Sequence, residues 1–400
     1  MKLVAALSYP RYRLLWASAL AHNTARWIET VVGVWMVLAL TDSAFLVGVL
    51  GICRFASMPL GPLCGTIADR FNRRNVLATI LSVNTAAALA VLILFLTGRL
   101  QVWHLFALAL VGGLNHTFDF SVRFVLAADL VDPSDLAGAT SLLFVASGMT
   151  SVIGSLLGGS LFQVIGPGGL FALIAALLVA SVAAVASIRM ESGTVHHARP
   201  TGLRNLIEGL HYIREDRSLA ALILFAALVN FLVFPCWFVL VPIFGREVFQ
   251  AGAGGIGQLM ASVGFGTLSG SFIATSLQKL RSKGGVLVTL LISWPAFLIL
   301  FSLSRVFALS LALLVVAGLV QGLSITLIQI LLLVWSEDGM RGRVSGARAF
   351  AISTIVLGNL LTGWTADLSS AALVMVVNCA ASILITVLIA LWAPQLVRRR

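Results

Sequence analysis

Apolar residues run along the chain in long stretches that recur about every 30 residues, and short charged or Gly/Pro-containing breaks separate them. A helix that crosses a bilayer needs about 20 mainly apolar residues, because each residue rises by only about 1.5 Å. The breaks leave twelve stretches of that length. The sequence therefore predicts an all-α membrane protein with twelve transmembrane helices, at 13–40, 44–68, 75–97, 102–128, 136–165, 168–188, 218–245, 254–278, 285–303, 306–335, 345–366 and 370–393.

The longest interruption, 189–217, leaves six spans on either side. Its second part, 200–217, has apolar residues at helical spacing and charged residues on the other face, which predicts an amphipathic helix on the cytoplasmic membrane surface. A weak internal repeat relates Gly65 at the end of span 2 to Gly270 at the end of span 8. We therefore expect two pseudo-symmetric six-helix bundles, a design typical of transporters whose substrate site lies between the halves: 1–188, a linker at 189–217, and 218–400.

Composition and charge support the membrane assignment and set the orientation. Of 400 residues, 60% are hydrophobic and only 10% are charged, which excludes an ordinary soluble fold. The termini and the even-numbered loops hold 19 of the 26 Lys and Arg residues. Positive loops stay on the cytoplasmic side, so we expect both termini to be cytoplasmic in a plasma or inner membrane. The net charge of +11 thus reflects orientation and gives no indication of nucleic-acid binding.

Motifs for catalysis, metals and cofactors are missing from the sequence. The four cysteines stand singly, without a CxxC pair, and the pair His196 and His197 lacks a third ligand at suitable spacing. There is no phosphate-binding loop and no metalloprotease or serine-nucleophile motif in a credible context. We predict that the protein is not an enzyme, that it holds no metal or cofactor, and that it has no obligate protein partner.

The loop between spans 2 and 3 reads GTIADRFNRR from Gly65 to Arg74. It resembles the G-x-x-x-D-R-x-[GN]-R-[RK] loop of the major facilitator superfamily at every defined position. The resemblance implies a gate loop on the cytoplasmic side that latches the two halves in the outward-facing state, with an acid offered by the end of span 4. Alternatively the basic residues only enforce topology, which leaves the glycine and the aspartate unexplained. The candidate gate residues are Gly65, Asp69, Arg70, Arg73, Arg74 and Asp129.

Two further patterns are similar to exporters of that superfamily. The opening, with Tyr12 to Trp16 and then Trp35, resembles the branch that contains macrolide efflux proteins and the enterobactin exporter. Span 5 is similar to the G-P-x-x-G motif of drug/proton antiporters, but Ser155 stands where the proline belongs. The glycines of this motif, which would also serve as a helix-packing stripe, are Gly154, Gly158 and Gly159.

Charged side chains within the spans are the best candidates for function, since they are costly in a bilayer unless they are paired or protonated. Only Glu29 and Asp119 among the acids lie well inside a span, and we take them as proton-coupling candidates. On span 1, His22 and Arg26 share a helix face with Glu29; on span 4, His116 and Arg123 share one with Asp119. Alternatively, Arg26 with Glu29 and Asp119 with Arg123 are intrahelical pairs that only anchor the bundle. The substrate-pathway candidates are His22, Arg26, Arg54, His116, Arg123, Asn230 and Trp237.

The second half has no charge near the centre of a span, but span 7 carries several aromatic residues. An aromatic wall opposite a charged first half favours an amphipathic or lipophilic substrate. The sequence thus predicts a secondary transporter, a proton-coupled exporter of such a molecule that works by alternating access. Its partners would be the substrate, protons and membrane lipid. The alternatives are an uncoupled facilitator or importer of a lipid or organic anion, and a non-transporting membrane receptor or scaffold.

Overall fold

The computed structural model describes residues 5–61, 71–189, 203–276, 283–337 and 339–398, and the regular elements in these residues are helices. Within this described part of the chain, ten stretches are long and apolar enough to cross a membrane. One of them, Leu136–Ala186, holds two spans, and Ala44–Leu60 is a shorter apolar segment at the place of span 2. The prediction of a twelve-helix membrane protein is confirmed.

The first half contains the helices Pro10–Thr41, Ala44–Phe55, Arg73–Leu96, Val102–Leu130 and Leu136–Ala186. Spans 5 and 6 are divided at Gly166, whose φ of 67° and ψ of 179° suit glycine and break the helix just ahead of Pro167. Two other helices begin after a short polar residue, Ser43 before span 2 and Asn72 before span 3. The side chain of each accepts a hydrogen bond from a backbone N–H group that has no partner within the helix.

The second half contains span 7 at Arg217–Glu247, then Gly252–Ser276, Lys283–Leu303, Phe307–Trp335, the pair Arg341–Ile352 and Ile355–Leu368, and Ala371–Trp392. Span 7 includes two π-helical segments, Val229–Val233 and Cys236–Leu240, on either side of Pro235. Proline has no backbone N–H, so the regular ladder of helical hydrogen bonds cannot pass through it. Span 11, predicted as one helix at 345–366, is interrupted at 353–354.

The helix predicted within 200–217 is present at Leu203–Glu215 and packs against the start of span 11. Glu208 forms an ion pair with Arg343 over 3.0 Å, and the hydroxyl of Tyr212 accepts a hydrogen bond from the Glu337 backbone N–H over 3.3 Å. A Cβ on Gly209 would lie 2.8 Å from the Arg343 carbonyl, so glycine is needed for this close approach. The linker helix is therefore fixed to the second bundle.

The two ends of the described chain lie on one side of the molecule, which we call the terminal side; the opposite side is the far side. At the start of span 1, the Tyr9 hydroxyl lies 2.7 Å from Asp132 and 3.0 Å from Asp135, next to the start of span 5. The hydrogen bond to Asp132 is the main reason that the pKa of Tyr9 is raised to about 12. The two halves also touch on this side, where Met58–Leu60 contacts Arg341–Ile352.

On the far side, two crossings close the space between the halves. Span 2 packs on span 11, where a Cβ on Gly48 would lie 2.5 Å from the Asn359 carbonyl and 3.3 Å from Gly363. Span 5 packs on span 8, where a Cβ on Gly159 would lie 2.8 Å from the Ala253 carbonyl. Residue 253 follows 48 by 205 positions, and 363 follows 159 by 204. These spacings match the internal repeat, so the two crossings are pseudo-symmetric copies of one contact.

Candidate functional site

Glu29 of span 1 forms an ion pair with Arg54 of span 2 inside the first bundle. Arg54 donates from Nη1 to Glu29 Oε1 over 3.0 Å and from Nη2 to the Arg26 carbonyl over 2.8 Å. Span 4 comes close because Gly112 and Gly113 carry no side chain: a Cβ on Gly113 would overlap the Arg54 carbonyl. The intrahelical Arg26–Glu29 pair considered above is wrong, because the Glu29 carboxylate turns to the neighbouring span.

Asp119 and Arg123 of span 4 form the intrahelical pair that their spacing predicts. Arg123 donates from Nε to Asp119 Oδ2 over 3.0 Å and from Nη2 to Oδ1 over 2.5 Å. The remaining Nη1 donates to the Leu15 carbonyl over 2.9 Å and to the Ser18 hydroxyl over 3.3 Å. Both charged side chains are buried. The pair therefore also fixes span 4 to span 1.

Arg26 of span 1 meets His116 of span 4, with 3.2 Å between Nη1 and Nδ1. A guanidinium has only N–H donors, so His116 Nδ1 must be the acceptor in this bond and the imidazole carries its proton on Nε2. Arg26 also lies near Trp27, whose ring centroid is 5.8 Å from the guanidinium carbon. The charged faces of spans 1 and 4 thus confront each other.

A cavity of about 180 Å³ opens beside these residues, between spans 1, 4 and 5. Four charged or titratable side chains contribute to its wall, together with Asn23 and Ser147 and three phenylalanine rings. Sequence reasoning found the charged members because charge is rare in a span. It missed the phenylalanines, because nothing in an apolar sequence separates a ring that lines a cavity from a ring that faces lipid. The charged and aromatic lining residues are Arg26, His116, Asp119, Arg123, Phe120, Phe124 and Phe144.

The two acids lie at different depths. Glu29 precedes the far-side end of span 1 at Thr41 by 12 residues, or about 18 Å of helix. Asp119 precedes the terminal-side end of span 4 at Leu130 by 11 residues, or about 17 Å. Asp119 lines the 180 Å³ cavity, while Glu29 lines a pocket of only about 10 Å³ with Arg54. The Arg26–His116 contact links the helices that carry the two acids.

Three other candidates are placed less directly. His22 is fully buried and neither of its ring nitrogens has a hydrogen-bond partner among the described residues. Asn230 donates to the Ala226 carbonyl of its own helix over 2.8 Å. Trp237 packs on Phe234 with 4.8 Å between ring centroids, and its indole N–H has no partner in the described part of the chain. None of the three lines the charged cavity.

The span 7 aromatic residues meet span 2 rather than an open pathway. Phe55 of span 2 packs edge-on against Phe234 and Phe238, with centroid distances of 5.7 and 5.2 Å. Asn359 of span 11 lies beside them, fully buried, and its amide has no hydrogen-bond partner among the described residues. This cluster continues the far-side closure toward the middle of the protein.

On the terminal side, the described gate residues contact the ends of spans 4 and 6. Arg73 donates from Nη1 to both carboxylate oxygens of Asp129, over 2.9 and 2.7 Å. Arg74 donates to the carbonyls of Val185 and Ala186. The structure thus places Asp129 where the resemblance puts the acid. The remaining gate candidates, Gly65, Asp69 and Arg70, lie outside the described residues.

The glycines of span 5 lie at close contacts between helices. A Cβ on Gly154 would lie 2.6 Å from the Trp27 side chain, and one on Gly158 would lie 3.2 Å from the Cα of Ile28, both on span 1. Gly159 faces the opposite way, toward Ala253 and Gly257 of span 8. The first two bring spans 1 and 5 together on one side of the cavity, and the third belongs to the far-side crossing.

Sequence reasoning missed the polar contacts that join the two halves on the far side. Asp42, which has a positive φ of 53° at the end of span 1, pairs with Arg246 at the end of span 7. Asp367 at the end of span 11 accepts hydrogen bonds from the Ser43 hydroxyl and the Ala44 backbone N–H, each over 2.6 Å. The signal that could have found the first pair is its separation of 204 residues, which is the repeat offset.

The sequence matches a family model of the major facilitator superfamily, described as transmembrane secretion effector, over residues 2–398. No curated protein matches the chain.

Solved structures give the same fold at low identity. A mutant of the nucleoside transporter NupG is 13% identical with a TM-score of 0.73, and the match covers 95% of this chain and 99% of that one. The D-xylose–proton symporter is 14% identical with a TM-score of 0.71, with 97% and 99% covered. A bacterial homolog of the human lysosomal transporter Spinster, in an inward-facing and unoccupied conformation, is 15% identical with a TM-score of 0.67, with 97% and 96% covered.

Proposed function

Because the chain belongs to the major facilitator superfamily and is therefore a transporter and not an enzyme, we propose that this secondary transporter exports an amphipathic small molecule in exchange for protons. The proposal assigns it to the exporter branch that its opening and its span 5 glycines resemble. It also places both termini in the cytoplasm, because the positive loops lie on the terminal side.

The observation that carries the proposal is the pairing of both membrane acids with arginines, one pair of which lines the cavity. Glu29 is held by Arg54 and Asp119 by Arg123. A proton on either carboxylate would cancel its charge and leave the partner guanidinium uncompensated at a depth where that is costly. Protonation therefore changes the relative stability of arrangements of spans 1, 2 and 4, and this is the coupling that an exchanger needs.

The route of the proton follows from depth and access. Asp119 lines the cavity and lies nearer the terminal side, so it is the acid that exchanges protons with a terminal-side solution. Glu29 lies nearer the far side and, in the arrangement described, behind the closed crossings of spans 2 with 11 and 5 with 8. We propose that Glu29 exchanges protons when those crossings open, and that Arg73 and Asp129, which are already paired in the arrangement described, belong to the latch on the terminal side.

The nature of the substrate follows from the cavity wall. Charged groups lie at one part of it and the rings of Phe120, Phe124 and Phe144 at another. Such a wall suits a molecule with one polar and one apolar part, whereas a sugar would need many hydrogen-bonding groups.

Transport measured in proteoliposomes tests the coupling. An amphipathic compound that raises the melting temperature of the purified protein serves as the probe, and its flux is measured with and without a pH gradient. We expect the gradient to drive flux, and we expect Glu29→Gln and Asp119→Asn each to abolish the gradient's effect. Glu247→Gln, which neutralises an exposed acid at the end of span 7, is the matched control and should behave as wild type.

Proton-driven flux that survives neutralisation of both acids would contradict the coupling assignment. Flux that ignores the gradient in the unmodified protein would select an uncoupled facilitator or importer. Binding of the probe without any flux would select a receptor or scaffold.

A further inference from the structure

We propose that the cavity binds an organic anion, with the negative group on Arg26 and the apolar part on Phe120, Phe124 and Phe144. This inference rests on the proposed function only in taking the cavity as the substrate site. It names the charge of the substrate and the residue that selects it.

The charged side chains in the interior of the first bundle do not balance. Among the described residues, three guanidiniums and two carboxylates meet in its interior. Glu29 is hydrogen-bonded to Arg54, and Asp119 is hydrogen-bonded to Arg123 at both of its oxygens. Arg26 is the guanidinium of this cluster that has no carboxylate within ion-pair distance among the described residues. One positive charge is therefore left without a counter-ion.

The neighbours of Arg26 do not supply a counter-ion. His116 accepts a hydrogen bond from Arg26 through Nδ1, so the ring is present as the uncharged tautomer. Trp27 offers only the negative face of its ring, at 5.8 Å from the guanidinium carbon. An uncharged acceptor and a ring face orient the guanidinium, but they leave its net charge in place.

The Arg26 side chain can be reached from the cavity. Arg26 is only partly buried, and it lines the cavity of about 180 Å³ together with His116. A cation at this depth is costly unless a partner is supplied, and a negative group in the cavity would supply it with charge-assisted hydrogen bonds. The two paired arginines are less suited to an anion: Arg54 does not line this cavity, and Arg123 already directs N–H groups at Asp119, the Leu15 carbonyl and the Ser18 hydroxyl.

Three phenylalanine rings in the same cavity offer a surface for the apolar part of the ligand. Phe120 is 50% exposed and Phe144 is 55% exposed, although both line the same cavity as Arg26. Phe124 lies between them, with ring centroids 4.9 Å from each. Three rings in contact with each other and open to the cavity form an apolar surface that an aromatic or aliphatic group can cover. A negative head and an apolar body complete the description of the ligand.

Binding of matched compounds to the purified protein tests the inference. The probes are naphthaleneacetate, naphthalenesulfonate, the uncharged naphthaleneacetamide and, as an inorganic anion, sulfate. We expect the two aromatic anions to bind and to raise the melting temperature, and we expect the amide and sulfate to bind at least about tenfold more weakly. Arg26→Gln should weaken binding of the aromatic anions by about tenfold or more and leave the amide unchanged.

Arg99→Gln, at an exposed arginine outside the cavity, is the control and should bind as wild type. Arg26→Lys keeps the charge and should retain anion preference, so it decides the matter if Arg26→Gln does not fold. Equal binding of acid and amide, or unchanged anion binding in Arg26→Gln, would overturn the inference, and so would the absence of a shift with either aromatic anion at millimolar concentration. Binding by sulfate as strong as by the aromatic anions would overturn the part that concerns the phenylalanines.

The same preparations separate this inference from the proposed function. If anion preference is present but flux ignores the pH gradient, the proton coupling fails and the anion site stands. If the gradient drives flux and the acid is not preferred over the amide, the anion site fails and the coupling stands.

Discussion

The two bundles share a fold and a repeat but have opposite interiors. In the first bundle, buried charged pairs tie helices together in addition to glycine contacts: Arg54 bonds to Glu29, and Arg123 bonds to Asp119 and to the Leu15 carbonyl of span 1. In the second bundle, spans 8 and 10 are joined through glycines. A Cβ on any of them would overlap a carbonyl of the other helix; they are Gly266, Gly270, Gly318 and Gly322.

This difference shows how a duplicated fold can divide its tasks. Glycine contacts between helices depend on close packing and have one good arrangement, so the second bundle supplies rigidity. Buried ion pairs contribute little net stability, but they respond to protons and to charged ligands, so under the proposed function the first bundle would supply the response. Two predictions test this contrast, and a third concerns the junction between the bundles, where we expect the smallest effect.

The largest effect is expected from breaking one ion pair of the first bundle. Arg54→Gln leaves the buried Glu29 carboxylate without its partner, which should lower the free energy of unfolding by about 3–5 kcal/mol. Thermal unfolding of the purified protein measures the loss.

The double variant Glu29→Gln with Arg54→Gln removes both charges and should recover most of that stability, because no uncompensated charge is left. Equal losses in the single and the double variants would contradict the idea that the pair matters through its charge.

An intermediate effect is expected from filling a glycine contact of the second bundle. Gly270→Ala would bring a methyl group into overlap with the Leu319 carbonyl oxygen, so spans 8 and 10 must move apart. We expect the free energy of unfolding to fall by about 1–3 kcal/mol. Thermal unfolding again serves as the measurement, and transport should keep its dependence on the pH gradient.

Gly346→Ala is the matched control in a helix of the same bundle. A Cβ there meets nothing within 4 Å, so the variant should be as stable as wild type or gain up to about 1 kcal/mol from helix propensity. A loss at Gly346 as large as that at Gly270 would show that the cost arises from the helix backbone rather than from packing.

The smallest effect is expected at the exposed junction of the two bundles. Arg246→Gln removes the far-side pair with Asp42 and should shift the equilibrium toward a far-side-open state by about fivefold at most, because exposed ion pairs contribute roughly 0.2–1 kcal/mol. Distances between spin labels on the far-side ends of spans 1 and 7 report the shift.

Arg305→Gln neutralises an exposed arginine on the far side and should leave those distances unchanged. High salt should reproduce part of the Arg246→Gln effect in the unmodified protein, since screening weakens an exposed pair. Distances that respond equally to both substitutions would contradict a specific role for the Asp42 pair.

Much of the fold could be predicted because hydropathy is a local property of the sequence. The spans, the linker helix and the faces of spans 1 and 4 all follow from spacing within one helix. Irregularities were harder to predict: the break at 353–354 in span 11 has no proline to mark it, and the partner of Glu29 lies on a different helix.

The sequence predicted which charged residues belong to the candidate site, but it did not predict the shape of the cavity. Arg26, His116, Asp119 and Arg123 stood out because a charge in a span is costly, and the structure brings all four to one cavity. The phenylalanines of that cavity and the far-side pair of Asp42 with Arg246 were missed. Their residue types are ordinary for a membrane helix and a loop, and only their neighbours distinguish them.

The sequence by itself thus determined that this is a twelve-helix membrane protein, and it also determined which charged residues lie within the spans. Both follow because the free-energy cost of a polar group in lipid applies to each residue separately. The tertiary structure alone decided which charges cancel. Two carboxylates meet two arginines through contacts between and within helices, and Arg26 is left facing the cavity with a histidine and a ring. Pairing depends on how close the helices come, and that distance is set by glycines and side chains far apart in the chain.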